Sequence, residues 1–174
     1  MDFFELFHLA PSFFLDEKAL RRAYLANSKR LHPDFFTQDD PAQQAEALAL
    51  SSRNNEAYET LSDFDRRIQY ILQQADMLQD IGTTTLPQSF LFEMMDINEA
   101  VADLLDNPDP QRIAATKTQI ESIEHDLYEA VKPAMEAFDP SGDLPSQLQA
   151  VKFFFLKKRY LLRIVEKLSI FADA

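Results

Sequence analysis

Residues 19–34 read ALRRAYLANSKRLHPD and residues 54–67 read NNEAYETLSDFDRR. Placed at helical spacing, Leu20, Ala23, Tyr24, Asn27 and Leu31 gather on one side. Lys18, Arg21, Arg22 and Lys29 gather roughly opposite, with Leu25 among them. Asp16 can accept the free N–H groups of the first turn, so the helix is expected to begin there and run to about Leu31. Pro33 stops it, having no N–H to continue the ladder, and HPDFFTQDDP (32–41) reads as a loop. Asp40 then offers an N-cap, Pro41 the first helical position and Gln43 a capping-box partner, opening a long helix to about Leu61. A short apolar helix over 3–9, stopped before Pro11, and another over roughly 64–75 complete this half.

Composition sets the class. A chain of 174 residues with 46% apolar content allows one or two small domains with packed cores. The only glycines are Gly82 and Gly142, too few for a loop whose backbone must approach a phosphate, so dinucleotide and P-loop sites are excluded. Abundant Leu, Ala, Glu and Gln with few β-branched runs predict an all-α fold. The absence of cysteine excludes disulfides, thiol catalysis and thiolate metal sites, and it suits a reducing, cytoplasmic setting. Net charge is 17 − 29 = −12, which argues against nucleic acid or an anionic membrane as the main partner. No apolar run approaches the roughly 20 residues that span a bilayer. The N-terminus, MDFFELFHLAP, reads as the start of the fold and not as a targeting segment.

A basic helix face on a net-acidic protein, beside a proline-braced His32 and Asp34, has the character of a docking surface for an acidic partner. Composition alone would equally allow a merely solvated face. The ordered combination decides. FFELFHL (3–9), ALRRAYLANSKRLHPD and NNEAYETLSDFDRR, in this order and spacing, resemble the J-domain family over residues 1–75. The resemblance implies that His32, Pro33 and Asp34, with Lys18, Arg21, Arg22 and Lys29, bind the nucleotide domain of a DnaK-type chaperone and stimulate its ATP hydrolysis. It further implies a J protein that supplies no catalytic group and binds no nucleotide or cofactor. Phe35 and Phe36 depart from the pattern, because many J domains carry a basic residue just after the tripeptide.

Beyond residue 75 the expected partition is a linker over 76–88, marked by DIGTTTLPQS (80–89), and a bundle over 89–174. Helical patterns over 89–106, 111–137 and 145–171 are separated by the turn signals NPDP (107–110) and DPSGDLP (139–145). Short connections between long helices predict an antiparallel three-helix bundle. Phe90, Met94, Ile97, Val101 and Leu104 form one apolar stripe for its core. Phe92, Asp96, Glu99 and Asp103 fall opposite, with Leu91 and Met95 on a flank. Residues 89–107 hold five acids, Asp106 and Glu93 included, and no Lys or Arg. Apolar side chains off the core stripe and ringed by one sign of charge suggest a protein-binding patch. The alternative is that Phe92 and Met95 pack against the first domain or the linker while the acids merely solubilise the protein.

A J domain followed by an acidic bundle, with no Gly/Phe segment and no cysteine-rich repeats, resembles the HscB family. That resemblance implies a co-chaperone that delivers the iron–sulfur scaffold protein (IscU) to a DnaK-type chaperone (HscA), aiding maturation of iron–sulfur proteins. The matching positions for the scaffold are Leu91, Phe92, Met95, Asp96, Glu99, Asp103 and Phe155. The run Phe153–Phe155 makes the last alignment ambiguous, since three successive aromatics cannot all face a core. Eukaryotic relatives carry a cysteine-rich N-terminal extension, so the bacterial form is implied. The cations of the last helix (Lys152, Lys157, Lys158, Arg159, Arg163, Lys167) read as offsets to acidic neighbouring helices. His8, His32 and His125 are too far apart for a metal motif. Two other readings stay open at this point: a J protein serving a different client, and an all-helical enzyme with its site inside the bundle.

Overall fold

A computed structural model of the chain describes residues 2–31, 40–79 and 86–170, the side chain of Ile170 excepted. Every regular element among them is helical: α1 (Phe3–Leu6), α2 (Glu17–Arg30), α3 (Pro41–Ser62), α4 (Phe64–Gln74), α5 (Gln88–Glu93), α6 (Met95–Asp106), α7 (Pro110–Glu136) and α8 (Leu144–Ile170). The all-α expectation is met. The chain divides into two compact units, Met1–Gln74 with Phe138–Ser141, and Ala75–Ala137 with Gly142–Ala174.

Aspartates open five of the helices. Asp2, Asp16, Asp40, Asp63 and Asp109 each accept one or two backbone N–H groups of the turn that follows, satisfying donors that have no partner within the helix. The N–H of Ala19 is the main cause that holds the Asp16 carboxyl below the usual carboxylate range. The Lys18 N–H and the positive charges of Arg22 and Lys18 add to it. In α3 and α7 a proline takes the first helical position, where its missing N–H costs nothing.

In the first unit α3 is the central helix, packed by α1, α2 and α4. Ala47 and Ala57 on α3 are buried along with Leu61. Phe3, Phe4, Leu6 and Phe7 come in from the N-terminal turn, Leu20 and Leu31 from α2, and Ile68, Ile71 and Leu72 from α4. α1 ends three residues earlier than its apolar run suggests. His8 adopts the left-handed conformation (φ 54°). The Leu9 N–H reaches the Phe4 carbonyl at 3.0 Å and the His8 N–H the Glu5 carbonyl at 3.1 Å. This is a Schellman closure built without glycine, and it outcompetes continuation of the helix. Tyr70 ties the N-terminus to α4. Its ring stacks on Phe3 at 4.5 Å, its hydroxyl accepts the Phe3 N–H at 2.9 Å, and it donates to the Asp2 carboxylate. Arg67 is buried, with Nη1 donating to the Leu61 carbonyl at 2.7 Å and the guanidinium over the Phe64 ring.

In the second unit α7 and α8 pack along each other and α6 packs on both, giving the three-helix bundle. The expected stripe of Phe90, Met94, Ile97, Val101 and Leu104 is buried against Ile113 and Ile120 of α7 and Leu161, Ile164 and Leu168 of α8. Burying each such side chain fully contributes roughly 1.5–3 kcal/mol. One expectation is corrected. The first bundle helix is not continuous over 89–106 but breaks at Met94, whose dihedrals are φ −85° and ψ −3°. Residues 88–106 contain neither proline nor glycine to break it. Asn98 Nδ2 donates to the Met94 carbonyl at 2.8 Å, while the Asn98 N–H donates to the same oxygen at 2.9 Å.

Candidate functional site

The basic face of the first unit is held outward by what lies beneath it. Tyr24 stacks on Tyr58 of α3 at 4.2 Å, and its hydroxyl donates to Asn55 Oδ1 at 3.1 Å. The buried Asn54 sends Nδ2 to the Tyr24 carbonyl (3.3 Å) and to Ser28 Oγ (3.0 Å), and Asn27 Nδ2 reaches the Leu6 carbonyl at 3.1 Å. These bonds fix the rotation of α2. Lys18, Arg21, Arg22 and Lys29 are exposed as a result, and Leu25 stands among them 53% exposed. His32, Pro33 and Asp34, the tripeptide singled out in the sequence, lie outside the described residues, as do Phe35 and Phe36.

On the second unit the bend at Met94 divides an apolar patch. Leu91 and Phe92 belong to α5 and Met95 opens α6; they are 36%, 68% and 58% exposed, while their neighbours Phe90 and Met94 are each 1% exposed. Asp96, Glu99 and Asp103 are exposed on α6. Asp103 is not a free acid, however, because its Oδ2 lies 2.7 Å from Nη1 of Arg112 at the start of α7, with both side chains half-exposed. The uncompensated charge of this face therefore sits on Asp96 and Glu99 more than on Asp103. The one available signal was an acid and an Arg flanking the NPDP turn.

Phe155, placed with the docking set by resemblance, is instead 5% exposed, with the Arg159 guanidinium over its ring. Phe154 is also buried, and Phe153 is the partly exposed member of the run. Two consecutive inward aromatics fit because α8 faces α7 on one side and α6 on the other. Phe153 lines a hollow of about 220 Å³ with Leu127, Ala130, Val131, Ala150, Phe154 and Lys157. Lys157 is its sole residue with a polar side chain, so the hollow holds no acid–base pair. Among the cations of α8, Lys158 pairs with Glu124 at 3.0 Å, and Lys157 Nζ sits over the Phe90 ring at 5.1 Å. The described residues include no cluster of three or more His, Asp or Glu that could hold a metal, and no helix long and apolar enough to cross a membrane.

Comparison with known proteins meets this geometry. The family described as the HSCB C-terminal oligomerisation domain matches residues 86–169. A co-chaperone protein HscB homolog of a Shewanella species is 33% identical over 112 residues, and the chain spans 64% of that relative's length. A homolog of the same name from Bordetella pertussis is 32% identical over 143 residues, covering 82% of this chain and 81% of its own. The solved structure of the chaperone HscB from Vibrio cholerae superposes with a TM-score of 0.68 at 24% identity, over 99% of this chain and 98% of the other. The fold is thus that of a J domain followed by a helical bundle. With relatives of this identity and extent, the chain belongs to the HscB family of co-chaperones.

Proposed function

We propose that this chain is an adaptor co-chaperone of iron–sulfur protein assembly in the cytoplasm. Its first unit would engage the nucleotide domain of a DnaK-type chaperone (HscA) through His32, Pro33 and Asp34 with Lys18, Arg21, Arg22 and Lys29. Its bundle would present the iron–sulfur scaffold (IscU) on Leu91, Phe92 and Met95, with Asp96, Glu99 and Asp103 around them. The protein contributes no catalytic group of its own; the hydrolysed nucleotide belongs to the chaperone.

The observation that carries this reading is the contrast along α5 and α6. Phe90 and Met94 are buried, while Leu91, Phe92 and Met95 are exposed within a field of acids. A surface that keeps large apolar groups in water is stabilised by a partner that covers them. Anchors at an interface centre contribute ~2 kcal/mol or more each, and rim charges chiefly raise the association rate. On the first unit, the exposed cations of α2 give the matching electrostatic feature for an acidic partner.

The test is steady-state ATPase of the cognate chaperone, with this protein and the scaffold added singly and together. Replacing Leu91, Phe92 and Met95 together by alanine is expected to weaken scaffold binding by at least ~100-fold. The melting temperature and the scaffold-free ATPase stimulation should stay near wild type. Asp34→Asn should do the reverse, abolishing stimulation and leaving scaffold affinity intact. Unchanged binding by the triple variant, or normal stimulation by Asp34→Asn, would overturn the corresponding assignment.

A further inference from the structure

Asn98 and Tyr160 belong to neither the core stripe nor the docking set. Asn98 Nδ2 carries two hydrogens, and both find partners: the Met94 carbonyl at 2.8 Å and the Tyr160 hydroxyl at 2.7 Å. Tyr160 is itself anchored, its ring edge-on to Phe90 at 5.7 Å. One amide thus joins the carbonyl at the break to a residue of α8 whose ring also touches α5. Nothing else in the sequence of 88–106 asks for a break, since its apolar period is unbroken and it lacks proline and glycine.

We propose that Asn98 and Tyr160 are positioning residues for the client face. Together they hold the bend at Met94, and the bend sets Leu91 and Phe92 on α5 against Met95, Asp96 and Glu99 on α6. The inference rests on the scaffold-docking reading above and adds to it the device that presents the face. A patch spread over two helical segments binds tightly only if their mutual angle is fixed before the partner arrives, because ordering it on binding subtracts from affinity. Without the side-chain bonds, residues 88–106 can relax into the continuous helix that their periodicity favours, which turns the α5 anchors relative to those on α6.

A neutral hydrogen bond of this kind corresponds to about a fivefold change in an equilibrium. In the full-length protein, Tyr160→Phe removes one bond and is expected to weaken scaffold binding about threefold to fivefold. Asn98→Ala removes both and should weaken it about fivefold to tenfold or more. The double variant should bind no worse than Asn98→Ala, because the two changes delete one shared interaction. Alanine is the better helix former and offsets part of the two lost bonds, so the melting temperature of Asn98→Ala should fall only slightly. A purely structural role would lower it without changing scaffold affinity. Amide hydrogen exchange should slow around Met94, where a continuous helix closes backbone bonds that the break leaves open, and stay unchanged along α7. The triple alanine variant of Leu91, Phe92 and Met95 runs in parallel. If it loses binding while Asn98→Ala and Tyr160→Phe bind normally, the positioning role is refuted and the docking face stands. If the triple variant itself binds normally, the docking face falls, and the positioning role with it.

Discussion

Tyr70→Phe probes the knot that fastens the N-terminus of the first unit. The substitution keeps the ring, and with it the stacking on Phe3 at 4.5 Å and the tilted contact with Phe4 at 6.0 Å. It deletes only the hydroxyl, which donates to the Asp2 carboxylate and accepts the Phe3 N–H at 2.9 Å. A hydrogen bond to a charged group contributes about 1.5–3 kcal/mol net, and a buried N–H left without its acceptor costs about 1–3 kcal/mol. Tyr70 is only 8% exposed, so water replaces little of this, and we expect a loss of about 3 kcal/mol. For a unit of this size that lowers the melting temperature by roughly 12–24 °C. The hydroxyl also gives a pH signature. Burial first, and then the bond to Asp2, push it up from the ordinary 10.0 to about 12. A raised value means that the fold favours the neutral phenol. Its contribution is therefore complete below pH 10 and drains away as pH climbs through 12, amounting to about 3 kcal/mol. Urea unfolding followed by circular dichroism, at pH 8 and at steps through the alkaline range, measures both effects. Wild type should be the more stable protein at neutral pH, and the two curves should converge at the alkaline end. A difference under about 1 kcal/mol at neutral pH, or curves that stay parallel, would refute the reasoning.

Three further outcomes follow from individual contacts. Asp109→Ala removes the cap that accepts the Gln111 and Arg112 N–H groups, and should cost the bundle about 1 kcal/mol in urea unfolding. Asp16→Ala should flatten the acid limb of the stability curve. A carboxyl held below its ordinary 3.8 contributes above that pH and loses the contribution as pH falls through the depressed value, so only wild type should show that slope. Arg112→Gln breaks a half-exposed pair and should change stability by less than about 1 kcal/mol. Freeing Asp103 should nonetheless quicken scaffold association, an effect that stopped-flow traces should show at low salt and lose at high salt.

The helices were legible where the apolar period was strong and a cap residue marked the start. Asp16 and Asp40–Pro41 open α2 and α3 where their chemistry says they should, whereas NPDP read only as a turn although its Asp109 caps α7. The stripe from Phe90 to Leu104 is buried because a 3.6-residue period fixes which side chains share a face. What escaped the reading depends on partners distant in the chain or on backbone geometry. The break at Met94 is met by one side chain, Asn98, whose second bond goes to a tyrosine 62 positions away. Helical spacing placed Asp103 on the outer face, but no pattern within α6 announces Arg112. Phe155 went inward because a helix between two neighbours buries a wider arc than one stripe. The early end of α1 came from His8 taking a conformation usually left to glycine.

The bundle core joins the two ends of its unit, and this bears on how the protein is made. Phe90, Met94 and Ile97 find cover on Leu161, Ile164 and Leu168, which the ribosome adds some 70 residues later. At about 5–20 residues per second, the first apolar stripe waits several seconds in a nascent chain without the helix that shelters it. Throughout that interval the stripe and the outward apolar side chains Leu91, Phe92 and Met95 are open together. A newly made copy of this co-chaperone therefore passes through a stage in which it resembles a chaperone's client itself.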